Sequence, residues 1–116
     1  VTVYVGGIQF ERPIQVGQIV EVHAQVVHTG STSMHVAIDV AARDATAEQA
    51  ERTTHCLMVF VAVDEQRKPM PVPTYLPVGD EARERSAYAQ RMMVMRKEIE
   101  TERRNFLARF SAPRSG

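Results

Sequence analysis

Between Ile19 and Val63 the chain is dominated by a period of two, and after Asp80 by helical spacing. A period of two puts alternate side chains on opposite faces of a sheet. From Ile19 to Thr29, Val20, Val22, Ala24 and Val26 share one face, while Glu21, His23 and Gln25 share the other. From Ser33 to Arg43, Met34, Val36, Ile38 and Val40 oppose His35, Ala37 and Asp39. Arg52 to Val63 holds the nearly continuous apolar run CLMVFVAV, which predicts a central strand covered on both sides. VTVYV at the start is β-branched and aromatic, hence a strand. Gly6-Gly7 predicts a bulge in it before Ile8 and Phe10 resume the alternation. Pro13 and Gly17 bracket a turn, Gly30-Ser31-Thr32 reads as a hairpin connection, and residues 44–51 as a loop. Asp64 to Pro77 carries four prolines and reads as an extended crossing segment. Asp80 then caps a long helix predicted to end near Phe110. Four strands and a terminal helix make an α+β protein: an antiparallel sheet over 1–79, and an amphipathic helix with its tail over 80–116.

Bulk properties narrow the function classes. A chain of 116 residues is one domain. Its 14 basic and 14 acidic residues balance, which argues against nucleic acid as a partner. The single Cys56 allows no internal disulfide and fits a reducing compartment. No apolar run approaches the roughly 20 residues that span a bilayer, and no signal peptide is visible. A soluble, cytoplasmic protein is expected. With no initiator Met, the sequence reads as starting inside a longer or processed gene product.

Few residues offer chemistry on local grounds. The glycines make no phosphate-binding loop. His23, His28, His35 and His55 have no second ligand at metal-binding spacing, so no metal is expected. His55 and Cys56 are adjacent in a strand and point to opposite faces, which makes a poor nucleophilic pair. Gly30-Ser31-Thr32-Ser33 is either a plain polar turn or a loop that offers amides and hydroxyls to a ligand. Asp39 reads as a solvent-facing strand residue and Asp64 as a strand-end turn residue. Val20, Val22, Val26, Val36, Ile38, Leu57, Val59 and Val61 read as one apolar face that must be covered. The cover is an upstream segment, a partner chain or the terminal helix folding back. On that helix Met92, Met95, Ile99 and Phe106 form the expected packing stripe, and its arginines a solvated face.

A set of short motifs carries a family likeness. Val1-Thr2-Val3, Phe10 with Pro13, Val16-Gly17, His28-x-Gly30-x-Thr32-Ser33-Met34, Phe60-x-Ala62-x-Asp64, Lys68-Pro69 and Pro71 follow one another in order. Over Val1 to about Pro71 the chain resembles the acyl-CoA thioesterases of the hotdog fold. The resemblance implies a curved antiparallel sheet around a long helix. It implies a homo-oligomer, a dimer paired edge to edge or a trimer of dimers. It implies hydrolysis of an acyl-CoA to a free acid and coenzyme A, with a carboxylate as general base, amides polarising the thioester carbonyl, and no cofactor. Thr2 matches a threonine near the reacting centre. Phe10 and Pro13 match residues that shape the strand turn. Gly30, Ser31, Thr32 and Ser33 match the turn near the phosphates and pantetheine arm of the substrate. The sequence opens where that family has completed its first strand and the central helix bearing the carboxylate. The alternatives are a non-catalytic acyl-CoA-binding or assembly subunit whose partner supplies the acid, and a structural oligomerisation module.

Overall fold

A computed structural model describes residues 1–110. Four antiparallel strands form one sheet: β1 (Thr2–Phe10), β2 (Ile19–Thr29), β3 (Ser33–Arg43) and β4 (Glu51–Val61). Their spatial order is β1-β4-β3-β2, so the apolar run of β4 is central, as its sequence requires. A single helix, α1 (Asp80–Phe110), follows. The expected α+β order of elements is the observed one. The helix starts one residue earlier than a cap at Asp80 implies. Gly79, at φ 90°, precedes the first turn, and its carbonyl accepts the Arg83 amide at 3.1 Å. Asp80 instead pairs with Arg83 at 3.2 Å. The expected tail over 112–116 lies outside the described residues.

Register, rather than alternation alone, decides which side chains share a face. β2 and β3 pair from Ile19↔Arg43 to Val26↔Val36, then slip by one to His28↔His35. The slip is a β-bulge, and it leaves Val27 without a partner and turned to the same side as its neighbour. Val27 is only 1% exposed and joins Ala37, Leu57 and Ala89 in the core, with Met92 packed against it. α1 therefore covers the face that carries Val27, His35, Ala37, Leu57 and Val59. This corrects the single apolar face read from sequence. Val22 opposes Val40, Val26 opposes Val36, and Val36 opposes Met58, so these residues lie on the reverse side from Leu57 and Val59. The sheet has two apolar faces. One is closed by α1; the other is open, with Val22 65% exposed.

The helix is longer than the sheet beneath it. Thirty-one residues span about 46 Å at 1.5 Å each. Ser86 and Ala89 are its buried residues, and every residue from 101 to 110 is exposed. The expected stripe is thus only partly used. Met92 packs on the core, whereas Met95, Ile99 and Phe106 are exposed. The reason is length: the helix is held to the sheet at Ser86, Ala89 and Met92 and then runs past it.

The crossing segment is anchored to the β2–β3 turn. The Met70 amide donates to Ala62 O (2.9 Å), Val72 N–H to Ser31 O (3.0 Å) and Tyr75 N–H to Thr29 Oγ1 (2.9 Å).

Candidate active site

Thr2 opens β1 opposite Phe60, which in turn opposes Met34 of β3. Ser33, the first residue of β3, opposes Val61, whose amide donates to Val1 O at 2.8 Å. Thr2 and the Gly30–Ser33 turn therefore lie at one end of the sheet, separated by β4. At about 4.8 Å per strand step, the gap is roughly 10 Å. The turn is closed by the Gly30 amide donating to Ser33 O at 3.0 Å, and Ala62 N–H donates to Thr32 O at 3.0 Å. A Cβ at Gly30 would meet Ser33 Oγ at 2.6 Å, so a side chain there displaces Ser33. Phe10 and Pro13 are not part of this cluster. Phe10 opposes Thr54 at the far end of β1, and eight residues of strand separate it from Thr2 by about 26 Å. Phe10 is 83% exposed, and Pro13 is exposed beside it.

The two carboxylates singled out from sequence occupy different places. Asp64 is a turn residue, as expected: its Oδ1 accepts the amides of Gln66 (2.8 Å) and Lys68 (2.9 Å) and so closes the bend over Arg67, which has φ 63°. Asp39 is not a solvent-facing residue. It lies on the α1 side of the sheet, where its Oδ1 accepts from His55 Nδ1 at 2.9 Å and forms an ion pair with Arg52 Nε at 3.2 Å. Asp39 and His55 are each about 30% exposed at the side chain. Local patterning could not show this, because His55 meets Asp39 only through the β3–β4 register.

The remaining titratable groups near the sheet are poorly disposed for nucleophilic chemistry. Burial pushes the Cys56 thiol up and Asp39 adds to the effect, so the thiol keeps its proton. Burial lowers His35, helped by the charges of His28 and Arg96, and holds it neutral. The His28 and His35 rings meet edge to face at 5.1 Å. Among the described residues no group of three His, Cys, Asp or Glu could hold a metal ion.

Comparison with known proteins agrees with this sheet. A family model described as "Thioesterase superfamily" matches residues 1–49. The "Acyl-CoA thioester hydrolase YciA" of Salmonella typhimurium is 40% identical over 76 residues, covering 63% of this chain and 57% of that protein. Over its strand-bearing part the chain is similar to the thioesterase superfamily. "Protein VdlD" of Helicobacter pylori is 38% identical over 77 residues, covering 66% of the chain and 44% of VdlD. The chain thus spans about half the length of the curated relatives it matches. Among solved structures, a hexameric acyl-CoA thioesterase aligns with TM-score 0.80 and 32% identity over 86% of this chain and 64% of that one. An acyl-CoA hydrolase variant from Staphylococcus aureus, solved with coenzyme A, aligns with TM-score 0.86 and 25% identity over 97% of this chain and 68% of that one. The curved antiparallel sheet with its long C-terminal helix is a hotdog-type fold.

Proposed function

We propose that this chain forms the substrate-facing sheet of an acyl-CoA thioester hydrolase. The observation that carries the proposal is the 40% identity to an acyl-CoA thioester hydrolase over the strand-bearing region. In this reading the Gly30–Ser33 turn meets the polar part of the coenzyme A moiety, Thr2 lies near the thioester at the same sheet end, and Phe10 and Pro13 shape the strand turn. Hydrolysis by general base needs a carboxylate that activates water near Thr2. Asp39 lies on the opposite face from Thr2, beneath α1, and Asp64 is committed to its own turn. The chain by itself is therefore expected to hydrolyse acyl-CoA slowly or not at all, and the general base comes from outside residues 1–116. A non-catalytic acyl-CoA-binding subunit is the alternative that the same geometry favours.

The assembly proposed is a homo-oligomer, either an edge-to-edge dimer or a trimer of dimers; the hexameric thioesterases that align with the chain support it. Among the described residues no helix is long and apolar enough to cross a membrane. The cytoplasm is the compartment inferred from the unpaired Cys56. No cofactor is part of the proposal.

The test is release of coenzyme A from butyryl-CoA by this chain and by a longer product of the same gene. Turnover confined to the longer product, by roughly 10²–10⁴-fold, supports the hydrolase reading. Absent turnover in both, with retained acyl-CoA binding, supports the binding subunit. Rapid turnover by residues 1–116 alone sinks the placement of the base.

A further inference from the structure

A sheet face covered by a helix is expected to be apolar row by row, because a buried polar group costs free energy unless it is paired. Ala37 and Leu57, packed with the unpaired Val27, follow that rule, and Gln25 opposite Ala37 is the first departure from it. The next row does not follow it. His23 opposes Asp39, Asp39 opposes His55, and His55 opposes Gln9, so one polar line crosses all four strands on the α1 side. Where this line passes beneath α1, the structure has a cleft of about 230 Å3 lined by Asp39, Arg52, His55 and Gln25 from the sheet and by Arg85 and Tyr88 from the helix.

The charges in this cleft are unbalanced. Arg52, Arg85 and His55 are three groups able to carry positive charge, and Asp39 is the one carboxylate lining it. Asp39 Oδ1 is already shared between His55 and Arg52. Among the described residues Arg85 pairs with Glu81 alone, at 3.2 Å, an i,i+4 contact in which the Glu81 side chain is almost fully exposed. Exposed pairs of this kind contribute little, so Arg85 is free to exchange its partner. The hydrogen bond to Asp39 places the His55 proton on Nδ1 and leaves Nε2 as the second site of the ring. The Tyr88 ring lies 6.0 Å from the His55 ring. Donors thus converge from β2, β4 and α1 on a space large enough for a small ion.

We propose that this cleft binds a phosphate-type oxyanion, clamped between Arg85 of α1 and Arg52 of β4, with Gln25 and Tyr88 completing the donors and the His55 ring beside them. Guanidinium forks match the spacing of phosphate oxygens. Donors on three elements suit a tetrahedral group with three or four oxygens better than a planar carboxylate with two. The site goes beyond thioester hydrolysis: it lies on the opposite face from Thr2, and an anion there would tie α1 to the sheet.

The test is titration of the full chain with inorganic phosphate at fixed pH and ionic strength. Binding is followed by calorimetry and by the side-chain NMR resonances of His55. Saturable binding with a shift of the His55 ring is expected. Arg85→Gln, at a half-exposed side chain, should keep the fold and weaken binding about tenfold. Acetate should bind more weakly than phosphate. A phosphate monoester such as glycerol 3-phosphate separates the sources of the anion. Tighter binding than free phosphate assigns the cleft to a phosphorylated ligand; equal or weaker binding assigns it to phosphate itself. No saturable phosphate binding, unchanged affinity in Arg85→Gln, or equal binding of acetate would overturn the proposal. Folding of Arg85→Gln is checked by its melting transition, and Arg52→Gln provides a second variant from the other side of the cleft.

Discussion

Burial and charge act in the same direction at His35. The ring is 2% exposed, faces His28 and lies near Arg96, and its Nδ1 has no hydrogen-bond partner among the described residues. Its folded pKa is lowered from 6.5, so the native protein resists a proton that the unfolded chain accepts. Stability from this residue is fully present above about pH 6.5 and declines as pH falls from there toward the folded pKa. The slope is at most about 1.4 kcal/mol per pH unit for one proton. Urea unfolding between pH 7 and pH 5 should show this loss, and His35→Gln should flatten it; equal slopes in the two proteins would remove His35 as the cause. Gly6 illustrates a steric constraint at the same scale. A Cβ there would fall inside the ring of Tyr4, and the Arg96 guanidinium lies 4.4 Å from that ring's centre. Gly6→Ala must displace the ring and its cation–π contact, a loss of about 1–3 kcal/mol measurable as a lower melting temperature. Thr2 is a residue of chemistry if its hydroxyl meets the reacting carbonyl or water. In an active, longer gene product, Thr2→Val should then lower kcat about tenfold with a smaller change in KM. Unchanged kcat would reduce Thr2 to a strand former.

The elements divide the work unequally. The first half of α1 is attached by Ser86, Ala89 and Met92, and the second half projects beyond the sheet with Ile99 62% exposed. Two aspartate substitutions separate the halves. Ala89→Asp buries a carboxylate without a partner and should destabilise the chain by several kcal/mol. Ile99→Asp should change the stability of a single chain by no more than about 0.5 kcal/mol. A large loss at Ile99 in thermal melts would mean that a partner covers it. On the sheet, β2 and β1 are edges with free backbone groups along their outer sides. Edges of this length invite pairing with another chain.

For the whole molecule, the open face of the sheet is the largest apolar surface left to cover. Val5, Val20, Val22 and Val26 remain substantially exposed there beside Met58 and Phe60. Burying one large aliphatic side chain contributes about 1.5–3 kcal/mol, so several such residues provide a strong drive toward covering the face. Light scattering at micromolar concentration should give a dimer or larger, and Val22→Lys should weaken it. A stable monomer at that concentration would contradict the proposed homo-oligomer.

The sequence by itself determined the elements. Strand and helix are written in local periods of two and 3.6, so the four strands, the central place of β4 and the helix ending at Phe110 were readable before any contact was known. The motifs from Val1-Thr2-Val3 to Pro71 also carried the likeness to thioesterases that the comparisons report. Only the tertiary structure decided the faces. The slip at Val27 reverses the parity of His28 and Thr29, and the β3–β4 register sets Val36 beside Met58 rather than Leu57; alternation within one strand reveals neither. Pairing across strands likewise brought His55 onto Asp39, sixteen residues away, and turned a presumed surface carboxylate into part of a cleft under α1. Such contacts depend on register and helix docking, which are properties of distant residues meeting rather than of any stretch read alone.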